Sequence, residues 1–253
     1  MDYQAIIDVV KSVKPLFFDN DLRSQSSMKG DADFVTQVDL KISSYVKSAL
    51  AELTPEIGFM SEEEDPGEVK PTRWILDPVD GTTNLVFDYR ASTISLALVR
   101  DEKPVFGIVY NPYSDELFTA QRGLGAFLNG NKIQASDREL ANCLIEFGAG
   151  STHKDGAHEI FGIAEKVFCD CLDLRRMCSS ALAICYIACG RSNGYFEKRL
   201  KPWDYAAAAL ILEEAGGLSS EWNGQPLQYK SACSFICGSQ TAFEYLKGAV
   251  SQL

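Results

Sequence analysis

Two carboxylates, Asp77 and Asp80, come after the apolar run Trp74-Ile75-Leu76, and Gly81-Thr82-Thr83 follows them. The apolar run predicts a buried strand, and Pro78 predicts a sharp turn at its end. Such a turn would hold both carboxylates beside free backbone N–H groups. Because carboxylate oxygens suit Mg²⁺ and clustered N–H groups suit phosphate, the stretch predicts a metal-dependent phosphate site.

Other acidic residues lie in three distant segments. Glu62 follows the short apolar segment Phe59-Met60, which could deliver it to the same end of a sheet, and Asp204 begins an alanine-rich helix. Asp39 lies three residues after Thr36. Each has an ordinary structural explanation: a solvated loop for Glu62, a helix cap for Asp204, and half of a capping box for Asp39. Their order and combination favour one shared site.

The composition indicates a globular protein. The chain has 253 residues, of which 46% are hydrophobic and 23% are charged, and its net charge is −11. This excess of acid argues against a nucleic-acid binder, because neutralising phosphates requires a basic face. The sequence contains neither a secretory signal nor an apolar run of about 18 residues, so we expect a cytoplasmic protein with no membrane span.

The cysteines and histidines do not favour a zinc site or histidine catalysis. No C-x-x-C pair occurs among the eight cysteines, so we expect reduced thiols that act as small apolar fillers. The two histidines, His153 and His158, fall in a polar segment and are expected to be exposed.

Apolar periodicity predicts the order of helices and strands. Helices are predicted from the N-terminus to about Pro15, between Thr36 and Pro55, and at 156–168, 179–190, 204–215 and 239–249. Besides the strand before Asp77, strands are predicted at 57–60, 91–100, 104–110, 115–120, 143–147, 170–174, 194–197, 218–221 and 233–237. Met28 to Phe34 is predicted as a loop, and Gly123 to Gly130 as a bend.

This order predicts an α/β protein in two parts. Antiparallel strands dominate the first part, and helices alternate with strands in the second. We therefore expect an N-terminal half, 1–145, with most of the metal ligands and a C-terminal half, 146–253. No linker separates them, so the halves are expected to pack as one compact unit.

Taken together, these motifs resemble the inositol monophosphatase family of Mg²⁺-dependent, lithium-sensitive sugar phosphatases. The resemblance rests on Val35-Thr36-x-x-Asp39, Ser61-Glu62-Glu63, Asp77-Pro78-Val79-Asp80-Gly81-Thr82-Thr83-Asn84 and Trp203-Asp204…Glu214-Ala215-Gly216-Gly217. It covers about residues 29–240 and includes Glu197, six residues before Trp203. It implies a layered αβαβα sandwich of the inositol monophosphatase and fructose-1,6-bisphosphatase type, and a homodimer.

The resemblance also implies two or three Mg²⁺ ions per site, held only by oxygen. The ligands would be Glu62, Asp77, the Val79 carbonyl, Asp80 and Asp204, with Asp77 shared between two ions. Carboxylates about 4 Å apart repel by several kcal/mol even at an effective dielectric constant near 20, so the metal-free site should be strained.

Catalytic and substrate-binding roles follow from the same resemblance. Glu62 and Thr82, the latter hydrogen-bonded to Asp39, would orient and activate the attacking water. The substrate-binding residues would be Asp80, Gly81, Thr82, Cys178, Ser179, Ser180, Glu197 and Asp204. Among them, the backbone N–H groups of Gly81 and Thr82 would bind phosphate, and Glu197 would accept hydrogen bonds from sugar hydroxyls.

The implied activity is hydrolysis of inositol monophosphate. Gly81-Thr82-Thr83-Asn84 favours this branch over the relatives that cleave 3′-phosphoadenosine 5′-phosphate or histidinol phosphate, which usually read Gly-Thr-Lys. Cys178 and Ser180 depart from the usual Gly-Ser/Thr-Ala-Ala run, and Lys201 from a neutral or histidine position, so inositol selectivity does not follow. A fructose-1,6-bisphosphatase-like or broad sugar or nucleotide phosphatase is the alternative. A non-catalytic binding relative is less favoured, since every metal carboxylate is present.

Overall fold

The helices surround two sheets in a computed structural model that describes residues 1–30, 33–64, 69–150 and 154–251. The helices are α1 (Tyr3–Ser12), α2 (Lys14–Phe17), α3 (Asn20–Ser24), α4 (Gln37–Leu53), α5 (Thr82–Val86), α6 (Ala157–Asp170), α7 (Ser180–Ala188), α8 (Pro202–Glu214) and α9 (Gln240–Val250). Single 3₁₀ turns lie at Leu140–Asn142 and Lys154–Gly156. The predicted long helices are confirmed, although α8 begins two residues before the predicted start.

The strands fall into a hairpin and two larger sheets. They are β1 (Ser26–Gly30), β2 (Asp33–Thr36), β3 (Gly58–Ser61), β4 (Thr72–Asp80), β5 (Thr93–Arg100), β6 (Lys103–Asn111), β7 (Glu116–Gln121), β8 (Gly125–Leu128), β9 (Asn131–Lys132), β10 (Leu144–Phe147), β11 (Asp173–Arg175), β12 (Gly194–Leu200), β13 (Leu218–Ser220) and β14 (Cys233–Gly238). The strand predicted at 170–174 is displaced, because α6 continues to its first residue.

The larger sheet has seven strands in the order β3-β4-β5-β6-β7-β8-β9. Only β3 and β4 pair in parallel, and the other neighbours are antiparallel. Successive β4 residues alternate between its faces: Trp74 and Leu76 pack in the cluster with α1 and α4, and Ile75 packs in the cluster with α7 and α8. The sheet is therefore buried on both faces, which explains the continuous apolar run.

The smaller sheet has five strands in the order β11-β10-β12-β14-β13. Tyr195 of β12 packs in the same cluster as α7 and α8, whereas Phe196 packs with α6 and α9. The layers are thus α1 and α4, the seven-stranded sheet, α7 and α8, the five-stranded sheet, then α6 and α9. This confirms the predicted αβαβα sandwich. The division near residue 145 stays a prediction, although the chain changes sheets between β9 and β10.

Two predictions of irregular structure are wrong. In the described part of the segment from Met28 to Phe34, β1 and β2 form an antiparallel hairpin. Its residues are largely polar, and Met28 is 52% exposed, so no apolar alternation could reveal it. Within the predicted bend from Gly123 to Gly130, β8 pairs with β7. The glycines before and after this four-residue strand predicted a bend, so the strand was not recognised from the sequence.

The predicted role of the cysteines as apolar fillers is correct for part of the set. All eight are free thiols. The buried ones are Cys143, Cys185 and Cys237. Burial raises the pKa of Cys185 and Cys237 well above the usual thiol range, which keeps them protonated and inert. In contrast, Cys169 and Cys178 are exposed.

Two further predictions concern the surface and the membrane. His158 is exposed on α6, as expected, and His153 lies outside the described residues. Within those described residues, every helix is too short or too polar to cross a membrane.

Candidate active site

The parallel pairing of β3 with β4 brings the first two acidic residues together. Ser61, the last residue of β3, pairs with Leu76 of β4. The backbone N–H of Glu62 donates to the Leu76 carbonyl at 3.3 Å. Glu62 therefore follows the end of β3 directly beside Asp77 of β4, as the sequence predicted for the short apolar strand before Glu62.

The sharp turn predicted at Pro78 is absent, because β4 continues through Pro78 to Asp80. Asp77 pairs with Ser95 and Asp80 with Thr93, so the register shifts between the two carboxylates. Pro78 lies within this bulge, where its missing N–H removes no ladder hydrogen bond. The bulge places Asp77 and Asp80 on one short segment at the edge of the cavity described below.

The N-terminus of α7 holds the carboxylate of Asp80. Its Oδ1 accepts the N–H of Ser180 at 3.1 Å, and its Oδ2 accepts the N–H of Ala181 at 2.9 Å and the hydroxyl of Ser179 at 2.5 Å. Burial raises the pKa of Asp80 to about 6, and these hydrogen bonds work in the opposite direction. Asp80 therefore connects the seven-stranded sheet to α7 through a charge that the α7 amides stabilise.

Gly81 is fixed against the segment that precedes α7. Its φ is +88°, and a Cβ there would lie 2.9 Å from the Cys178 carbonyl oxygen. Asn84 Nδ2 donates to the carbonyls of Ala91 and Met177, both at 2.8 Å. Any side chain at position 81 would be strained and would clash with backbone, so the loop before α5 requires glycine.

Thr82 and Asp39 are in contact, as the resemblance implied. Thr82 Oγ1 lies 3.0 Å from Asp39 Oδ1 and 3.0 Å from the Val79 carbonyl oxygen. The other Asp39 oxygen accepts the N–H of Thr36 at 2.9 Å and its hydroxyl at 2.5 Å. Asp39 is fully buried, and this burial raises its pKa to about 6. The predicted capping box and the predicted contact with Thr82 thus occur together at one carboxylate.

Asp204 lies in the first turn of α8, where it accepts the Lys201 N–H at 2.6 Å. Burial and the charge of Glu62 raise its pKa well above the usual range, and Asp80 adds to the effect. The pKa of Asp77 is also raised well above the usual range, mainly by burial and then by repulsion from Glu62 and Asp80. These carboxylates therefore lie close enough to oppose one another's ionisation.

Most of the predicted site residues line one cavity of about 620 Å³. The predicted residues that line it are Glu62, Asp77, Val79, Asp80, Gly81, Thr82, Cys178, Ser180, Glu197 and Asp204. Two others lie behind its wall. Asp39 contacts Thr82, and Ser179, which is only 2% exposed, donates to Asp80. Ser179 therefore acts on the cavity through Asp80, to which its hydroxyl donates, and does not line the cavity itself.

Glu197 is held at the cavity wall by a buried polar network. Its carboxylate accepts the Tyr195 hydroxyl and the Gly150 N–H, and Ser180 Oγ lies 3.4 Å from its Oε2. Burial raises the pKa of Glu197 to about 7. A Cβ on Gly148 would lie 2.0 Å from Glu197 Oε2, so the strand beside Glu197 needs a glycine to accommodate this carboxylate.

Sequence reasoning missed several residues that line the cavity. Tyr195 could have been found, since it lies two residues before Glu197 on the same strand and so faces the same side. Arg176, Arg199 and Phe34 also line the cavity. No motif marked them. Arg176 lies in the irregular segment before α7, and Arg199 lies where the pairing of β12 with β14 shifts after Glu197, so the direction of each side chain depends on the tertiary fold.

The donor atoms of the cavity suit Mg²⁺. The charged side chains that could bind a metal ion are carboxylates, and the backbone carbonyl of Val79 lies beside them. Such oxygen ligands are the ones that this ion prefers. Among the described residues, no three acidic, histidine or cysteine side chains already converge closely enough to enclose an ion. Mutual repulsion of like charges, visible in the raised pKa values of Asp77 and Asp204, favours such an open arrangement.

The whole chain, residues 1–253, matches the profile of the inositol monophosphatase family. The chain belongs to this family. The family match extends beyond the residues 29–240 on which the resemblance rested and confirms it.

Individual family members agree with this assignment. The inositol-1-monophosphatase of Rhizobium meliloti (strain 1021) is 38% identical over 237 residues, which cover 90% of this chain and 86% of that protein. Nus factor SuhB of Escherichia coli (strain K12) is 37% identical over 205 residues, covering 79% and 76% respectively. The crystal structure of extragenic suppressor protein suhB from Bartonella henselae is similar with a TM-score of 0.91 and 32% identity, covering 99% of this chain and 98% of that chain.

Proposed function

We propose that this chain is a Mg²⁺-dependent phosphomonoesterase that hydrolyses inositol monophosphate and related small polyol or sugar phosphates. The observation that carries this proposal is the single cavity in which Glu62, Asp77, Asp80 and Asp204 meet the Gly81-Thr82 loop. A purely structural role would not explain carboxylates that raise one another's pKa at a cavity wall.

Five groups would hold the metal ions. They are Glu62, Asp77, the Val79 carbonyl, Asp80 and Asp204. When bound, the ions supply positive charge that stabilises the phosphoryl group and the attacking and leaving oxygens of the displacement. Two or three ions per site remains a prediction of the resemblance.

The residues beside the metal ligands would orient the attacking water. Asp39 accepts a hydrogen bond from Thr82, which leaves the Thr82 oxygen with lone pairs that can accept a hydrogen bond from the water. Glu62 carries the carboxylate that would take a proton from this water. In this arrangement Asp39 touches no substrate and positions Thr82.

The two ends of the substrate would meet different walls. At one wall, the N–H groups of Gly81 and Thr82, at the start of α5, would bind the phosphate oxygens. At the other, Glu197 would accept hydrogen bonds from the hydroxyls of the alcohol, with Cys178 and Ser180 beside it. Homodimer formation and lithium inhibition are further predictions of the resemblance.

A second candidate is a role as a binding partner that requires no catalysis. The relatives named Nus factor SuhB favour it, at 37% identity to this chain. It is the weaker candidate, because this chain keeps every predicted metal carboxylate together with Thr82.

A substrate panel tests the proposal. Phosphate release is measured with Mg²⁺ for inositol 1-phosphate, fructose 1,6-bisphosphate, NADP and 3′-phosphoadenosine 5′-phosphate. Inositol 1-phosphate is expected to be hydrolysed, and its ranking as the poorest of the four would exclude it as the main substrate. Asp80→Asn should lower turnover by about two orders of magnitude or more with the fold retained. Unchanged turnover would contradict the two-metal mechanism.

A further inference from the structure

Three basic side chains line the same cavity as the acidic residues. They belong to Arg176, Arg199 and Lys201, and all three are exposed to solvent. The chain as a whole carries a net charge of −11. Three cations around one cavity therefore oppose the general charge of the protein and require an explanation.

Within the described part of the chain, these three cations make no ion pair. Arg175, the neighbour of Arg176, pairs with Asp173, and Lys198, the neighbour of Arg199, pairs with Glu159. Among the described residues, neither Arg176 nor Arg199 makes such a pair. The neighbours thus point their charges to partners on the surface, while Arg176 and Arg199 face the cavity. Arg176 and Arg199 therefore line the cavity without an ion-pair partner among the described residues and are available to a ligand.

Their positions match the wall assigned to the alcohol. Arg176 lies two residues before Cys178, and Arg199 and Lys201 follow Glu197 in the segment that leads into α8. The Lys201 ammonium lies 5.7 Å from the centre of the Trp203 ring, a contact that orients the side chain. The segments that would contact the alcohol are thus the segments that carry the cations.

We propose that Arg176, Arg199 and Lys201 form a subsite for a second anionic group, a phosphate or a carboxylate, on the alcohol part of the substrate. Guanidinium groups bind such anions through paired, charge-assisted hydrogen bonds. This inference rests on the proposed phosphatase activity and narrows the class of substrates expected for it. Among small phosphate esters, those with an anionic alcohol react faster than their neutral counterparts.

Matched substrate pairs test the subsite. Fructose 1,6-bisphosphate is compared with fructose 1-phosphate, and glucuronate 1-phosphate with glucose 1-phosphate, by kcat/KM in Mg²⁺. We expect the anionic member of at least one pair to be favoured roughly tenfold or more, the effect of one or two charge-assisted hydrogen bonds. A preference in the fructose pair alone identifies a phosphate, in the glucuronate pair alone a carboxylate, and in both pairs either anion.

Variants then connect the preference to the side chains. Arg176→Gln and Arg199→Gln should each reduce the preference at least threefold and change kcat/KM of the neutral member less than twofold. Arg175→Gln and Lys198→Gln are the matched controls, one residue away, and should leave the preference unchanged. Melting temperatures within about 2 °C of wild type show that the folds are comparable.

The outcomes separate this inference from the activity on which it rests. Hydrolysis of the neutral esters without any preference overturns the subsite and leaves the phosphatase proposal intact. Equal losses on both members of a pair also overturn it, because the cations would then serve the reacting phosphate. Absence of Mg²⁺-dependent hydrolysis with every ester overturns the phosphatase proposal, and the subsite with it.

Discussion

Thr82 donates a hydrogen bond to Asp39 at 3.0 Å, although 43 residues separate them along the chain. Asp39 also accepts two hydrogen bonds from Thr36 at the start of α4. The orientation of the Thr82 hydroxyl therefore depends on how α4 begins. Because the carboxylate is fully buried, solvent cannot substitute for either partner.

The first prediction concerns the Thr82 hydroxyl. Thr82→Val keeps the shape of the side chain and removes the hydroxyl, so we expect kcat to fall about 100-fold or more. Thr82→Ser keeps the hydroxyl and should retain activity within about tenfold. The measurement is the initial rate of phosphate release from inositol 1-phosphate. Wild-type activity in Thr82→Val would remove Thr82 from the catalytic site.

The second prediction concerns the stability of the metal-free protein. Asp77 is 2% exposed, and burial together with Glu62 and Asp80 raises the pKa of its carboxyl. Asp77→Asn removes the charge and can still accept the Val79 N–H, so it should increase the free energy of unfolding in chelator by roughly 1 kcal/mol or more. Added Mg²⁺ should raise the melting temperature of wild type and not of the variant.

Denaturant unfolding at neutral pH and thermal melts provide these values. Asp173→Asn, at an exposed surface pair, is the control and should leave both quantities nearly unchanged. A less stable metal-free Asp77→Asn would contradict the electrostatic account of this site.

Local patterns were sufficient to predict α4 and the carboxylates. The apolar residues of α4 recur at helical spacing, and Thr36 and Asp39 mark its start by their types alone. By contrast, the bulge between Asp77 and Asp80 depends on pairing with β5. A proline predicts a turn from the sequence, but only the neighbouring strand determines that the ladder continues past it.

Contacts between distant segments were the least predictable part of the site. Ser179 lies 99 residues after Asp80, and its type suggested contact with substrate rather than with a carboxylate. The sequence also could not show which backbone amides of α7 bind Asp80, since every residue except proline has a backbone N–H. The cavity positions of Arg176 and Arg199 depend on the paths of β12 and the segment before α7, and no local pattern indicates them.

The third prediction concerns Ser180, which departs from the family's usual alanine. Its hydroxyl lies 3.4 Å from Glu197 Oε2 and 3.2 Å from the Tyr195 hydroxyl. It therefore competes with substrate hydroxyls for the Glu197 carboxylate. Ser180→Ala should lower KM for inositol 1-phosphate about threefold, with kcat within twofold.

The control for this prediction is p-nitrophenyl phosphate, which carries no sugar hydroxyls. Its KM should not change in Ser180→Ala. An equal change of KM for both esters would mean that Ser180 acts on the phosphate end instead.

The fourth prediction concerns Glu146, a buried carboxyl on β10 that is outside the cavity. It is 2% exposed, its Oε2 has no hydrogen-bond partner among the described residues, and burial raises its pKa from 4.5 to about 7. A raised carboxyl pKa favours the folded state below pH 4.5, and this contribution is lost as pH rises through about 7.

Glu146→Gln removes the ionisation, so it should stabilise the protein at pH 8 by on the order of 2–3 kcal/mol and have little effect at pH 4. Urea unfolding at the two pH values measures the difference. The same gain at both pH values would show that the effect does not come from the charge.

The most direct test of the central claim is a Mg²⁺ titration of chelator-treated protein, with phosphate release from inositol 1-phosphate as the signal. We predict no activity in chelator, saturable recovery with Mg²⁺, and no comparable recovery with Zn²⁺, because the charged donors of the site are carboxylates. Full activity in the presence of chelator, or recovery with Zn²⁺ alone, would contradict a Mg²⁺-dependent phosphatase site at Asp77 and Asp80.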